Sequence, residues 1–117
     1  MKVKEISEKE ADELSDREED HFFDKKALAI KGAKVQKIAV AFANSDGGEF
    51  AIGIADNRDE PNVTKRWMGG AGIEDFNSHL QALSEISPTL DFSCLFLACK
   101  EKRGYVMLVR VEKAGPS

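Results

Sequence analysis

The chain has 117 residues, 42% hydrophobic and 32% charged, with a net charge of -4. That length suits one domain built on one hydrophobic core. No apolar run approaches the roughly 20 residues of a membrane span. The N-terminus leads into acidic rather than apolar sequence, so the expectation is a cytoplasmic protein with no membrane segment and no export signal.

The acid is concentrated at one end. Residues 1–20 carry four Lys/Arg and nine Asp/Glu, whereas the remainder carries 13 basic and 12 acidic residues. Ser7 is followed three residues later by Glu10, the spacing of a capping box, so a short polar helix is expected within Ser7 to Asp20. Its apolar content, mainly Ile6, Ala11 and Leu14, is thin, which makes residues 1–15 read as a peripheral helix.

A strand is expected from about His21 to Ala27. Alternation sends Asp24 and Lys26 to one face and Phe23 and Lys25 to the other. Glu19 stands five residues before Asp24, so the two converge only if the chain bends between them. Residues 27–33 read as a connection. Val35, Ile38, Ala39 and Phe42 then fall at the offsets of one helical face, with Lys31, Lys34 and Lys37 at three-residue spacing near the helix start. Asn44 and the pair Gly47-Gly48 suit a helix stop and a tight reversal. Phe50, Ile52 and Ile54 alternate with Ala51, Gly53 and Ala55 as in a buried strand that ends on Asp56.

Residues 57–72 lose periodicity and contain Lys65, Arg66 and Trp67; Trp67 is read as a packing anchor, with base stacking as the alternative. Ile73, Phe76, Leu80, Leu83 and Ile86 mark an amphipathic helix that stops at Ser87-Pro88. His79 lies beside that stripe as a boundary residue. Phe92 to Cys99 and Tyr105 to Val111 are β-rich runs joined by the turn Lys100-Glu101-Lys102-Arg103-Gly104, a hairpin. Cys94 and Cys99 match no metal or disulfide spacing and are expected to be buried and reduced. Residues 114–117 read as the start of a linker, as in a domain excised from a longer chain.

The element order implies an α+β fold, a two-layer mixed β-sheet covered by helices on one side. Phe42, Phe50, Ile52, Ile54, Phe76, Leu80, Leu95, Leu97, Val106 and Leu108 are expected to form one core, with Gly53 packed against a neighbouring element.

The stretch Ala41-Phe42-Ala43-Asn44-Ser45, the glycine pair, and Ile52-Gly53-Ile54-Ala55-Asp56 together resemble the Schlafen-type AlbA-like domain over roughly residues 13–113. Glu19, Asp24 and Lys26 match that family's upstream motif, with aspartate where glutamate is usual; Pro88 matches its helix-ending proline. The loop after Asp56 is longer than the family's usual glycine turn, and the arginine-containing segment that commonly follows the last strand is missing. The resemblance implies a metal trio of Glu19, Asp24 and Asp56 holding Mg2+ or Mn2+, with Lys26 beside it as a further catalytic residue acting on the scissile phosphate. Carboxylates suit hard divalent ions, and such ions activate water and neutralise a leaving oxygen in phosphodiester cleavage.

Three functions follow. The first is a metal-dependent nuclease domain acting on RNA. The second is a non-catalytic RNA- or DNA-binding or regulatory module in which Lys25, Lys31, Lys34, Lys37, Lys65 and Arg66 contact phosphates. The third is a dimerisation module that docks through the acidic N-terminal helix. A homodimer and a fused C-terminal domain are the expected further partners.

Overall fold

The computed structural model describes residues 2–115. Ten elements follow the chain: strand β1 (Val3–Glu5), helix α1 (Glu8–Asp16), β2 (Phe23–Lys26), α2 (Gly32–Ala43), β3 (Gly48–Ile52), two 3-10 turns (Val63–Lys65 and Ile73–Phe76), α3 (Asn77–Ser84), β4 (Phe92–Ala98) and β5 (Tyr105–Val111). The capping box forms at α1: Ser7 Oγ accepts from the Glu10 N–H, and Glu10 Oε1 accepts from the Ser7 N–H, both at 3.1 Å.

The strands make one mixed sheet in the order β1-β4-β5-β3-β2. β4 and β5 are the expected hairpin, with Phe92 opposite Val111 and Ala98 opposite Tyr105. β5 pairs antiparallel with β3, and β3 parallel with β2. Parallel neighbours need a crossover, and α2 supplies it. β1, which the sequence reading did not include, pairs parallel with β4 at the far edge. Three residues flanked by charges carry too little pattern to be seen without their partner strand.

The expected single core divides in two, because the sheet is covered on both faces. On one side, Val35, Ala39, Phe42 and Ala43 of α2, with Phe76 and Leu83, pack on Phe50, Ile52, Phe96, Met107 and Val109. On the other, Ala11, with Ile6 and Leu14, joins Phe23, Ala51, Ile54, Trp67, Leu97 and Val106. Of the expected core, Ile54, Leu95, Leu97, Val106 and Leu108 therefore belong to the α1 side, and Leu80, Leu95 and Leu108 are only partly buried. Each fully buried side chain of this size contributes about 1.5 to 3 kcal/mol.

Two glycines carry the turn-and-strand geometry between α2 and the loop. Gly47, at φ +80°, closes the reversal, its N–H donating to Phe42 O at 2.9 Å. Gly53, at φ +114°, lets the chain leave the sheet while lying against β5: a Cβ there would stand 3.3 Å from Val106 Cγ2. The packing expected of Gly53 is thus observed.

Candidate nucleic-acid interface

β2 is an edge strand, and its pleat sorts four consecutive side chains. Phe23 and Lys25 align with Glu49 and Ala51 on the α1 side, while Asp24 and Lys26 align with Phe50 and Ile52 on the α2 side. The bend needed to bring Glu19 to Asp24 is made by Asp20. Its N–H donates to Phe23 O at 2.9 Å, and its Oδ1 accepts from the Phe22 N–H at 2.8 Å. As a result, Lys26 Nζ lies 3.8 Å from Glu19 Oε2 and 3.6 Å from Asp24 Oδ1. Asp24 Oδ1 also accepts from the Lys25 N–H at 2.8 Å, which blunts the free edge of the sheet.

Asp56 lies beyond β3: the strand expected to run to Asp56 ends at Ile52, where Gly53 turns the chain out of the sheet. The N–H groups of Gly53 and Ile54 both donate to Lys26 O, at 2.8 and 3.2 Å, so the chain passes the end of β2 just before Asp56. Its Oδ1 accepts from the Arg58 N–H at 2.8 Å, with Arg58 Nε 3.8 Å away. That N–H bond holds the carboxyl below its usual pKa against a burial penalty; the charges of Arg58, Lys26 and Lys25 act in the same lowering direction. Asp56 therefore feels Lys26 without sharing its ion pairs. Among the described residues, no three His, Cys, Asp or Glu side chains gather closely enough to hold a metal ion. What the fold does assemble is an ion-pair cluster, Glu19 and Asp24 around the Lys26 ammonium, with Asp56 outside it but within reach of the Lys26 charge.

Two residues expected to contact phosphates lie inside the protein. Lys25, at 1% exposure, points to the α1 side and donates from Nζ to Ser15 O at 2.6 Å. Arg66, at 5%, donates to Ser15 O, Glu60 O and Pro61 O and pairs with Asp16. Both are drawn there because the last carbonyls of α1 lack helical partners and form the negative end of its dipole. Trp67 is the anchor of the long loop, 5% exposed, its Nε1–H donating to Arg103 O at 3.2 Å. Lys102, to which no motif drew notice, holds α1 from the other side, 2.8 Å from Asp12 Oδ1 and 2.9 Å from Thr64 O.

Lys31, Lys34 and Lys37 are exposed on α2. The helix starts at Gly32 with Lys31 as an N-cap that makes no side-chain capping bond, and it has no acid in its first turn. Between Lys26 and Asp46 the chain has these three lysines and no acidic residue at all. Lys26, Lys31 and Lys34 line one shallow hollow of about 400 Å3 with Ala27, Ala29 and Ile30. His79 steadies its rim, its Nε2 lying 3.0 Å from Ile30 O. Lys65 is also exposed, but its 3-10 turn packs against α1, on the opposite side of the sheet from these lysines.

A mixed five-stranded sheet covered by helices on both faces, with a basic helix face beside an edge-strand cluster of acids, makes this a small α+β module. A family model described as Schlafen, AlbA_2 matches residues 19–116, and the chain belongs to that family. The match begins after α1, so β1 and α1 lie outside it. A search of curated proteins returned no match. Among the described residues, no helix is long and apolar enough to cross a membrane.

Proposed function

We propose that this domain binds RNA or DNA through the phosphate backbone, on the face formed by Lys26, Lys31, Lys34 and Lys37. The observation that carries the reading is the charge of one segment: from Lys31 to Lys37 three exposed lysines stand on a helix with no acid, in a chain whose net charge is -4. The rest of the chain thus carries -7, and the basic face is a local feature rather than an overall excess. The first turn of α2 carries no acid and no side-chain cap, so the positive end of its helix dipole adds to the potential at Lys31 and Lys34. Phosphate neutralisation by such lysines releases counterions, so binding is salt-dependent and tolerant of sequence.

Anisotropy of a labelled single-stranded RNA, a double-stranded RNA and a DNA duplex across a salt series tests this. Changing Lys31, Lys34 and Lys37 together to alanine is expected to weaken binding and to reduce the slope of log affinity against log salt by about 2 to 3. Absence of binding by wild type at low salt, or a triple variant with an unchanged slope, overturns the reading.

A second reading, metal-dependent cleavage of RNA, is supported by one specific observation: two carboxylates, Glu19 and Asp24, already meet on the Lys26 ammonium. The donors are hard oxygens suited to Mg2+ or Mn2+. On this reading Glu19, Asp24 and Asp56 would hold the ion, and Lys26, released from its ion pairs, would take the scissile phosphate. A bound metal would supply water activation and charge neutralisation at the leaving oxygen. Adding Mg2+ or Mn2+ to the labelled RNA separates the two readings: cleavage that disappears in Asp56→Asn supports the nuclease, and unchanged RNA supports the binding module.

A further inference from the structure

The seam between β2 and α2 carries a second cavity, of about 460 Å3, at the opposite end of the helix from the lysine hollow. Ile38, Ala41 and Phe42 of α2 form its apolar side, and Glu19, Asp20 and Asp24 stand along the other. No lysine or arginine lines it. Among the described residues, the ion pairs of this region are those of Lys26 with Glu19 and Asp24 and of His21 and Lys113 with Asp46, and none involves Asp20. Three carboxylates therefore face the cavity against one shared ammonium, an excess of two negative charges. Phosphate is repelled by such a wall, whereas a cation is drawn to it.

An occupant must meet both sides at once, burying an apolar group on α2 and presenting positive charge to the strand side. Arginine and lysine have this character themselves, with an apolar stem and a charged head, and an aliphatic neighbour completes it. We propose that the cavity docks a segment of a partner protein in which arginine or lysine flanks an aliphatic side chain. The aliphatic group sits over Ile38 and Ala41, and the cation reaches Asp20 and Glu19. The segment is held by its side chains rather than as an added strand. The edge of β2 is already partly occupied, with Phe23 O taken by the Asp20 N–H and the Lys25 N–H by Asp24 Oδ1. This docking does not depend on the nucleic-acid reading. The opposite charges of the two hollows allow a basic segment and a phosphate backbone to be bound side by side along one helix.

The test is an amide-resonance NMR titration of the full chain with the capped peptide Ac-Arg-Leu-Arg-NH2, its counterpart Ac-Glu-Leu-Glu-NH2, and a single-stranded oligonucleotide. Saturable shifts confined to residues 19–24 and 38–45 are expected with the basic peptide alone. Asp20→Asn keeps the Oδ1 acceptor that holds the Phe22 N–H, and should weaken binding about threefold, the size of one exposed charge pair. Ala41→Arg, at an exposed position of α2, should weaken it about tenfold or more by filling the floor with a like charge. The rest of the spectrum reports whether each variant is folded. The proposal is overturned by equal shifts from both peptides, by no saturable shift, or by folded variants that bind as wild type does. It also fails if the oligonucleotide moves these resonances and the basic peptide does not.

Discussion

Replacing Lys25 separates a buried structural cation from a ligand-binding one. Its ammonium, 1% exposed, donates to Ser15 O at 2.6 Å, and Arg66 Nη1 reaches the same oxygen at 3.3 Å. Lys25→Met removes a charge-assisted bond of about 1.5 to 3 kcal/mol but leaves Ser15 O with Arg66, so the acceptor is not orphaned. It also removes the desolvation cost of a buried ammonium, itself about several kcal/mol. The two effects nearly cancel, and Lys25→Met is expected to lie within about 1 kcal/mol of wild type at neutral pH. Lys25→Ala adds a cavity and should cost about 2 to 5 kcal/mol.

The pH dependence gives the sign. Burial lowers the Lys25 pKa, and Arg66 acts in the same direction, against the carboxylates of Asp16, Asp56 and Glu18. Unfolded, the lysine keeps its proton to about pH 10.4. Between the lowered folded value and that limit, the unfolded chain binds more protons, and stability rises with pH. Urea denaturation from neutral to alkaline pH should therefore show wild type gaining on Lys25→Met until about pH 10.4 and levelling off beyond it. Oligonucleotide affinity should be the same in both. A stability gap that does not change with pH, or changes in the opposite direction, refutes the burial argument, and a loss of affinity in Lys25→Met refutes its exclusion from the binding face.

Gly53→Ala should destabilise by about 1 to 3 kcal/mol in a two-state urea transition, because φ is +114° and the added Cβ presses on Val106 at 3.3 Å; a neutral result would mean that β3 ends differently. Asp56 is held below the usual carboxyl pKa chiefly by the Arg58 N–H. Its contribution to stability is present above the unfolded value of about 3.9 and is lost as pH falls through the lower folded one. Asp56→Asn keeps an oxygen acceptor and should flatten that part of the acid limb, measured as the denaturation midpoint against pH; an acid limb identical to wild type would refute the assignment.

Periodicity and local chemistry were enough for much of this molecule. The Ser7/Glu10 cap, the helix that ends in Phe42-Ala43-Asn44, the buried strand through Ile52 and the final hairpin are short-range patterns, each fixed by the spacing of apolar residues or by one turn. The pleat alone also placed Asp24 with Lys26 and opposite Lys25. The family resemblance rested chiefly on the stretch from Ala41 to Asp56, with Glu19, Asp24, Lys26 and Pro88 in support, and the family model matches the chain. What the sequence left open depends on which surface each face meets. A lysine at position 25 and one at position 26 look alike in the chain; the first is buried because the carbonyl end of α1 arrives over that side of β2, and the second points to the other side and remains at the rim of the hollow beside the start of α2. Arg66 turns inward for the same helix end, fifty-one positions from Ser15. The bend at Asp20 that brings Glu19 to Lys26, the strand β1 and the division of the core into two layers likewise arise from contacts between distant segments, because hydrogen-bond partners and burial are properties of the assembled sheet.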